Sequence, residues 1–126
     1  MTTPHGHIHW NELNTTDVET EKAIYAEAAG WTFNAMEMDD GTTYWVAMNG
    51  EQPVCGMFNM QQEEAGHVPA HWIAYISIDD LDNAVAKAKA KGMILLRDIF
   101  DVPGVGRIAM LKQPDGALIG WMTPAD

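Results

Sequence analysis

Three histidines occupy alternate positions in the stretch "HGHIHWNEL": His5, His7 and His9. Residues two apart on a strand point to the same face, so this row has a spacing that a divalent cation could use. The other residue of obvious reactivity is Cys55, in "QPVCGMF". A thiol inside an apolar, strand-like run is expected to behave as a small buried hydrophobe and not as a nucleophile. As the sole cysteine, it excludes an internal disulfide and any cysteine cluster for zinc or iron–sulfur.

These side chains are only as useful as the elements that hold them. "HWNELN" reads as a strand and "DVETEKAIYAEAAG" as a helix. Asp17 is placed to cap that helix, acidic residues fill its first turn, and Gly30 closes it. Val18, Ile24, Tyr25 and Ala28 form an apolar stripe at helical spacing. Three strand-like runs follow, separated by the turn signals "DDG" and "NGE". The second half repeats the pattern: "HWIAYIS", a helix opened by Asp79 or Asp80 and closed at Gly92, then "ILLRDIFDV", "GRIAMLKQ" and "ALIGWMT". A shift of 62 residues aligns His9 with His71, Trp10 with Trp72, Asp17 with Asp79 and Gly30 with Gly92. The expected organisation is one domain over 1–126, with one βαβββ module at about 7–62 and another at about 71–124. A linker at 63–70 joins them, and His67 is a loop residue within it.

The chain carries seven Lys and Arg against eighteen Asp and Glu, a formal net charge of −11. A field of that sign repels phosphate backbones and anionic lipid, so neither nucleic acid nor a membrane is an expected partner. No apolar run is long enough for a membrane span, and "MTTPHGH" lacks the basic and apolar regions of a signal peptide. The expected location is cytoplasmic.

Five segments in order, "WNELNTTD", "YAEAAGW", "VCGMFNM", "HWIAYISIDDLDNAVAKAKAKG" and "VPGVGRIAMLKQPDGALIGW", resemble the vicinal oxygen chelate superfamily. That superfamily includes glyoxalase I and the bleomycin-resistance proteins. The resemblance is strongest to its group of predicted enzymes related to lactoylglutathione lyase. It implies an α+β fold in which two βαβββ modules form curled mixed sheets around a cavity, with the helices outside. It also implies a homodimer. In metal-dependent members, the first and last strands of each module supply His or Gln and Glu, then His and Glu. Carried onto this chain, those places fall on Trp10, near Phe58, on Ile73 (or Trp72) and on Gly120. None of these offers a suitable donor, so no metal or other cofactor is expected.

With Trp10 facing the implied cavity, alternation brings Glu12 and Asn14 to the same side. Ile73, Tyr75 and Ser77 follow on the fifth strand, and Met122 stands beside Gly120, whose missing side chain leaves room. Trp45 and Met110 are candidates from the third strands. Arg107 is the expected partner of Glu12, with Arg97 second. The candidate ligand site is thus Trp10, Glu12, Trp45, Phe58, Ile73, Tyr75, Arg107, Met110, Gly120 and Met122. It suits a flat or apolar small molecule held by stacking and one or two polar contacts. Two rivals stay open. One is a metal-dependent lyase, isomerase or dioxygenase that uses His9 and His71 in a register shifted by one. The other is a regulatory module without catalysis, its cavity filled by side chains. No catalytic residue is assigned.

Overall fold

Asp17 and Asp80 open the two helices by the same device. In the computed structural model each carboxylate accepts a backbone hydrogen bond three residues ahead, Asp17 from Thr20 and Asp80 from Asn83, both at 3.3 Å. The helices are α1 (Val18–Ala29) and α2 (Leu81–Ala90). Gly30 ends α1 at φ +73°, while Lys91 caps α2 and Gly92 follows at φ +102°. A left-handed residue at that place favours glycine. The structure describes residues 3–60, 69–102 and 104–125. Most of the expected linker, with His67, lies outside the described residues.

The strands are β1 (Ile8–Thr15), β2 (Thr32–Glu37), β3 (Thr43–Asn49), β4 (Gln52–Asn59), β5 (His71–Ser77), β6 (Ile94–Leu95), β7 (Phe100–Val102), β8 (Gly106–Lys112) and β9 (Leu118–Pro124). The chain divides into two compact units. One is Trp10–Trp72, and the other joins the residues from Ile73 onward with those through His9. In the first module β2, β3 and β4 form an antiparallel meander, and β1 lies parallel to β4 with Glu12 opposite Gly56. In the second, β5 lies parallel to β9 with Tyr75 opposite Gly120, β9 is antiparallel to β8, and β8 is antiparallel to β6 and β7. The fold class is therefore α+β, with two βαβββ modules of mixed sheet. One detail differs from expectation: "ILLRDIFDV" is two short strands. Leu96 still donates to Met110, after which the ladder breaks and Arg97 sets its guanidinium over the Phe100 ring at 4.0 Å.

Alternation decides which side chains each helix buries. Leu13, Val18 and Met57 form the core beneath α1, with Tyr25, Trp31, Phe33 and Trp45 packed against it. Leu81, Val85, Ala109 and Leu111 form the core of the second module, joined by Ile78, Ile119 and Trp121. Burial of each large apolar side chain contributes roughly 1.5–3 kcal/mol, and this fixes the register, because a one-residue slip would expose the whole set. The opposite faces then carry Trp10, Glu12 and Asn14 in one module and Ile73, Tyr75 and Ser77 in the other.

Two candidate site residues are corrected by this register. Trp45 shares the helix-covered face with Leu13 and Met57, where the Lys22 ammonium sits 3.1 Å from its ring centre. Arg107 shares the face of Ala109 and Leu111, so it reaches α2 and not Glu12. Its guanidinium donates to both Asp82 oxygens at 2.9 and 3.0 Å and to Asp101 at 3.0 Å. The hydrogen bond from Arg107 holds the Asp82 carboxyl below the usual carboxylate range. A lowered native pKa gives stabilisation that is present above the unfolded value and lost as pH falls through the native one. Asp82→Asn should accordingly lower Tm at neutral pH, and its gap to wild type should close on acidification. A gap that persists in acid would contradict a charge-based contribution.

His5 and His7 are exposed, and the segment that carries them is hydrogen-bonded to the end of β5. Gly6 donates to Ser77 at 2.7 Å, and Ser77 donates back to His7 at 2.8 Å. The Ser77 hydroxyl donates to the Thr3 carbonyl at 2.9 Å, and His5 Nδ1 accepts the Asp79 N–H at 2.9 Å.

Candidate functional site

The first module gathers its polar chemistry on the face turned away from α1. Cross-strand register sets Glu12, Gly56 and Val46 in one row, and Asn14, Phe58 and Tyr44 in the next. The Tyr44 ring leans diagonally out of its own row, and its hydroxyl lies above Gly56, where any Cβ would overlap it. That position brings the phenol within reach of two groups on β1. The Trp10 indole N–H donates to the Tyr44 oxygen at 2.9 Å, and the Tyr44 hydroxyl is hydrogen-bonded to Glu12. Asn14 adds a donor to Glu12 at 3.2 Å. The result is an ordered chain, Trp10 to Tyr44 to Glu12, with Asn14 fixing the carboxylate from the other side.

Burial raises the Tyr44 phenol far above its ordinary value, the Glu12 charge adds to this, and the Trp10 hydrogen bond partly opposes it. Tyr44 is therefore a neutral hydroxyl at physiological pH. Each member of this chain is half-buried. The arrangement can accept a hydrogen bond or a positive charge at Glu12 and offer aromatic surface from Trp10, Tyr44 and Phe58.

The second module aligns Ile73, Tyr75, Met110, Gly120 and Met122 on the face away from α2. The Tyr75 ring lies across Gly120, again in the space a Cβ would need. Ile73, Tyr75 and Met122 are 2%, 5% and 3% exposed, so this row is closed where the first module's is half open. Of the ten candidate residues, the structure sets Trp10, Glu12 and Phe58 together on one sheet face and these five on another. Trp45 and Arg107 stand on the helix-covered faces.

Tyr44 and Gly56 were not legible as site residues. "TTYWVAM" places two aromatic residues side by side, and an alternation of Tyr and Trp does not say which one faces the helix. The signal that could have found them is the parallel β1–β4 pairing, which sets a glycine beside Glu12.

The structure also settles which residues of the two modules correspond. With Asp17 and Asp80 as the caps, Trp10 matches Ile73 and Glu12 matches Tyr75, while His9 matches Trp72. The histidine pairing with His71 is thus one residue out. His9 lies on the Leu13 side of β1 and contacts Thr3 Oγ1 at 2.6 Å through Nδ1, whereas His71 Nδ1 is 2.8 Å from the Pro69 carbonyl. The shifted register that would pair them is not the one observed. The first-module counterpart of Gly120 is Gly56, since each pairs with the residue five before a capping Asp. Both places from which a last-strand carboxylate would project are glycines overlaid by tyrosines. Trp10 and Ile73 supply no donor, and no three His, Cys, Asp or Glu side chains come together among the described residues. The residues at these four places do not fit a divalent cation.

Cys55 is 3% exposed, and burial pushes its thiol up to about 11. It should react with a disulfide reagent at neutral pH far more slowly in the native protein than after denaturation. Equal rates in both states would contradict its burial.

No described helix is long and apolar enough to cross a membrane. Several relatives match over most of the chain. "Putative glyoxylase CFP32" of Mycobacterium tuberculosis is 38% identical over 120 residues, 95% of this chain and 45% of the relative. "Anthracycline biosynthesis protein DnrV" of Streptomyces peucetius is 24% identical over 119 residues, 86% of this chain and 43% of the relative. The chain thus spans less than half the length of these curated relatives. A variant of Streptomyces coelicolor methylmalonyl-CoA epimerase, solved with 2-nitronate-propionyl-CoA, superposes with a TM-score of 0.70 at 15% identity, over 98% of this chain and all of that one. At such identity the likeness concerns the fold. The model of the glyoxalase/bleomycin resistance protein/dioxygenase superfamily matches residues 7–120, and this chain belongs to that superfamily.

Proposed function

We propose that this chain is a metal-independent, small-molecule-binding member of its superfamily, and that the ligand meets the first module at Trp10, Glu12, Tyr44 and Phe58. The observation that carries the reading is the Trp10–Tyr44–Glu12 chain above Gly56. It presents a pre-oriented carboxylate and aromatic surface at the place where a metal-binding relative would present ligands. The row of Ile73, Tyr75, Gly120 and Met122, buried beside the half-buried Met110, supports the second module by packing and leaves ligand contact to the first. A homodimer in the cytoplasm is part of the same reading.

Charge narrows the ligand class. Glu12 is an acceptor within a strongly acidic chain, so a neutral or cationic aromatic molecule with an N–H or O–H donor suits it. A coenzyme A ester, as held by the epimerase, brings phosphates into that field and should not bind. A thermal-shift screen of chelator-treated protein tests this. Aromatic donors should raise Tm through preferential binding to the native state. Stabilisation by coenzyme A esters and not by aromatic donors would overturn the assignment.

A further inference from the structure

Charge is unevenly divided along the chain. Lys22 is the only Lys or Arg before Lys87, whereas fourteen of the eighteen Asp and Glu precede Lys87. The other six cations, Lys87, Lys89, Lys91, Arg97, Arg107 and Lys112, all belong to the second module. Arg107 is committed to Asp82 and Asp101, but Lys89 and Arg97 are exposed. They flank a shallow groove lined by Met93, Ile94, Leu95 and Leu96, with Asp98 as its only acid. Ile94 and Leu96 are 55% and 48% exposed there, beside the two-residue strand β6 at the limit of its sheet.

The opposite composition occurs at the outer strand of the first module. β2 pairs only with β3 among the described residues, so its other edge has unmatched backbone groups. Such edges are usually protected by Lys, Pro or a bulge, and "TFNAME" has none of these. Five of its six residues are exposed, Met36 among them at 43%. Glu37, Asp39 and Asp40 follow in and after the strand with no basic residue nearby in sequence. Here is an acidic edge with one apolar anchor, and there a basic groove with an apolar floor.

We propose that a second copy of this chain docks its β2 edge onto the groove at Ile94 and Leu96, with Met36 against the apolar floor and Glu37 and Asp39 against Lys89 and Arg97. The occupant is a second copy because this chain itself carries the complementary surface. Two molecules of equal negative charge repel overall, so association requires a local patch of opposite sign, and the Lys89–Arg97 groove supplies it. This inference rests on the homodimer reading and specifies its surfaces.

Charge reversal tests it. The full chain should sediment as a dimer at high concentration. Lys89→Glu with Arg97→Glu should weaken self-association roughly tenfold or more, as loss of close charge pairs does, and so should Glu37→Lys with Asp39→Lys. An equimolar mixture of the two variants, in which either variant's groove meets an edge of opposite charge on the other, should associate more tightly than either alone. These positions are exposed, and an unchanged circular dichroism spectrum will confirm that each variant folds. A wild-type chain that remains monomeric would overturn both the homodimer and the surfaces. A dimer indifferent to both charge reversals would overturn the surfaces and leave the homodimer standing.

Discussion

Gly56→Ala and Gly120→Ala will each destabilise the protein by about 1–3 kcal/mol or more, the range for overpacking a filled site. Both glycines lie in extended strands without positive φ, so backbone strain is not the cause. The cause is occupied space. A Cβ at Gly56 would overlap the hydroxyl and outer ring carbons of Tyr44, and one at Gly120 would overlap the Tyr75 ring. Gly56 is buried between strands on both sides, which limits relaxation. The pattern of rescue distinguishes this from a general intolerance of the strand. Tyr44→Phe should fail to rescue Gly56→Ala, because ring carbons remain in the way, whereas Tyr44→Leu should recover much of the loss. Thermal unfolding of the four variants checks it. A Gly56→Ala protein as stable as wild type would show that Tyr44 does not occupy the space above it.

Glu12→Gln is expected to leave the fold intact and weaken ligand binding by roughly tenfold or more, as loss of a charge-assisted hydrogen bond does. The amide keeps the shape of the carboxylate but loses its charge and one acceptor oxygen. Tyr44→Phe should act differently. It removes the acceptor of the Trp10 N–H and a donor to Glu12, at a cost of about 1–3 kcal/mol for the stranded partners. The phenol also has a pH signature. Its native pKa is raised above the ordinary 10.0, so its stabilisation is present below the unfolded value and is lost as pH rises through the native one. Alkaline titration of phenolate absorbance should show a component that does not ionise in the ordinary range until the protein unfolds, and Tyr44→Phe should diminish that late component by one phenol. Calorimetry with a ligand from the screen reads the Glu12 effect. Unchanged affinity together with a lower Tm would make Glu12 a structural carboxylate only.

The fold was legible because the strongest local signals were the ones that organise it. Asp17 with Gly30, and Asp80 with Gly92, marked both helices to within a residue or two, and the apolar alternation around Leu13 set the face of β1 that meets α1. The superfamily resemblance, carried by five segments in order, supplied the arrangement that periodicity alone could not. The site was legible only along single strands. Trp10 and Glu12 follow from alternation on β1, and Ile73 and Tyr75 from the same rule on β5. What failed depended on pairing between strands. Trp45 and Arg107 lie in runs where apolar residues occupy both faces, and only the ladders with β4 and β9 decide their side. Arg107 was further misjudged because its partners, Asp82 and Asp101, come from α2 and β7, which no local pattern links. Tyr44 escaped for a related reason: its role comes from leaning across a glycine on the neighbouring strand.

Calorimetric titration of a stabilising aromatic ligand into chelator-treated protein, repeated after addition of Zn²⁺, Ni²⁺ or Mn²⁺, tests the central claim most directly. The account predicts one site per chain, the same affinity with and without metal, and loss of that affinity in Glu12→Gln. Binding that appears only once a divalent cation is added would contradict it.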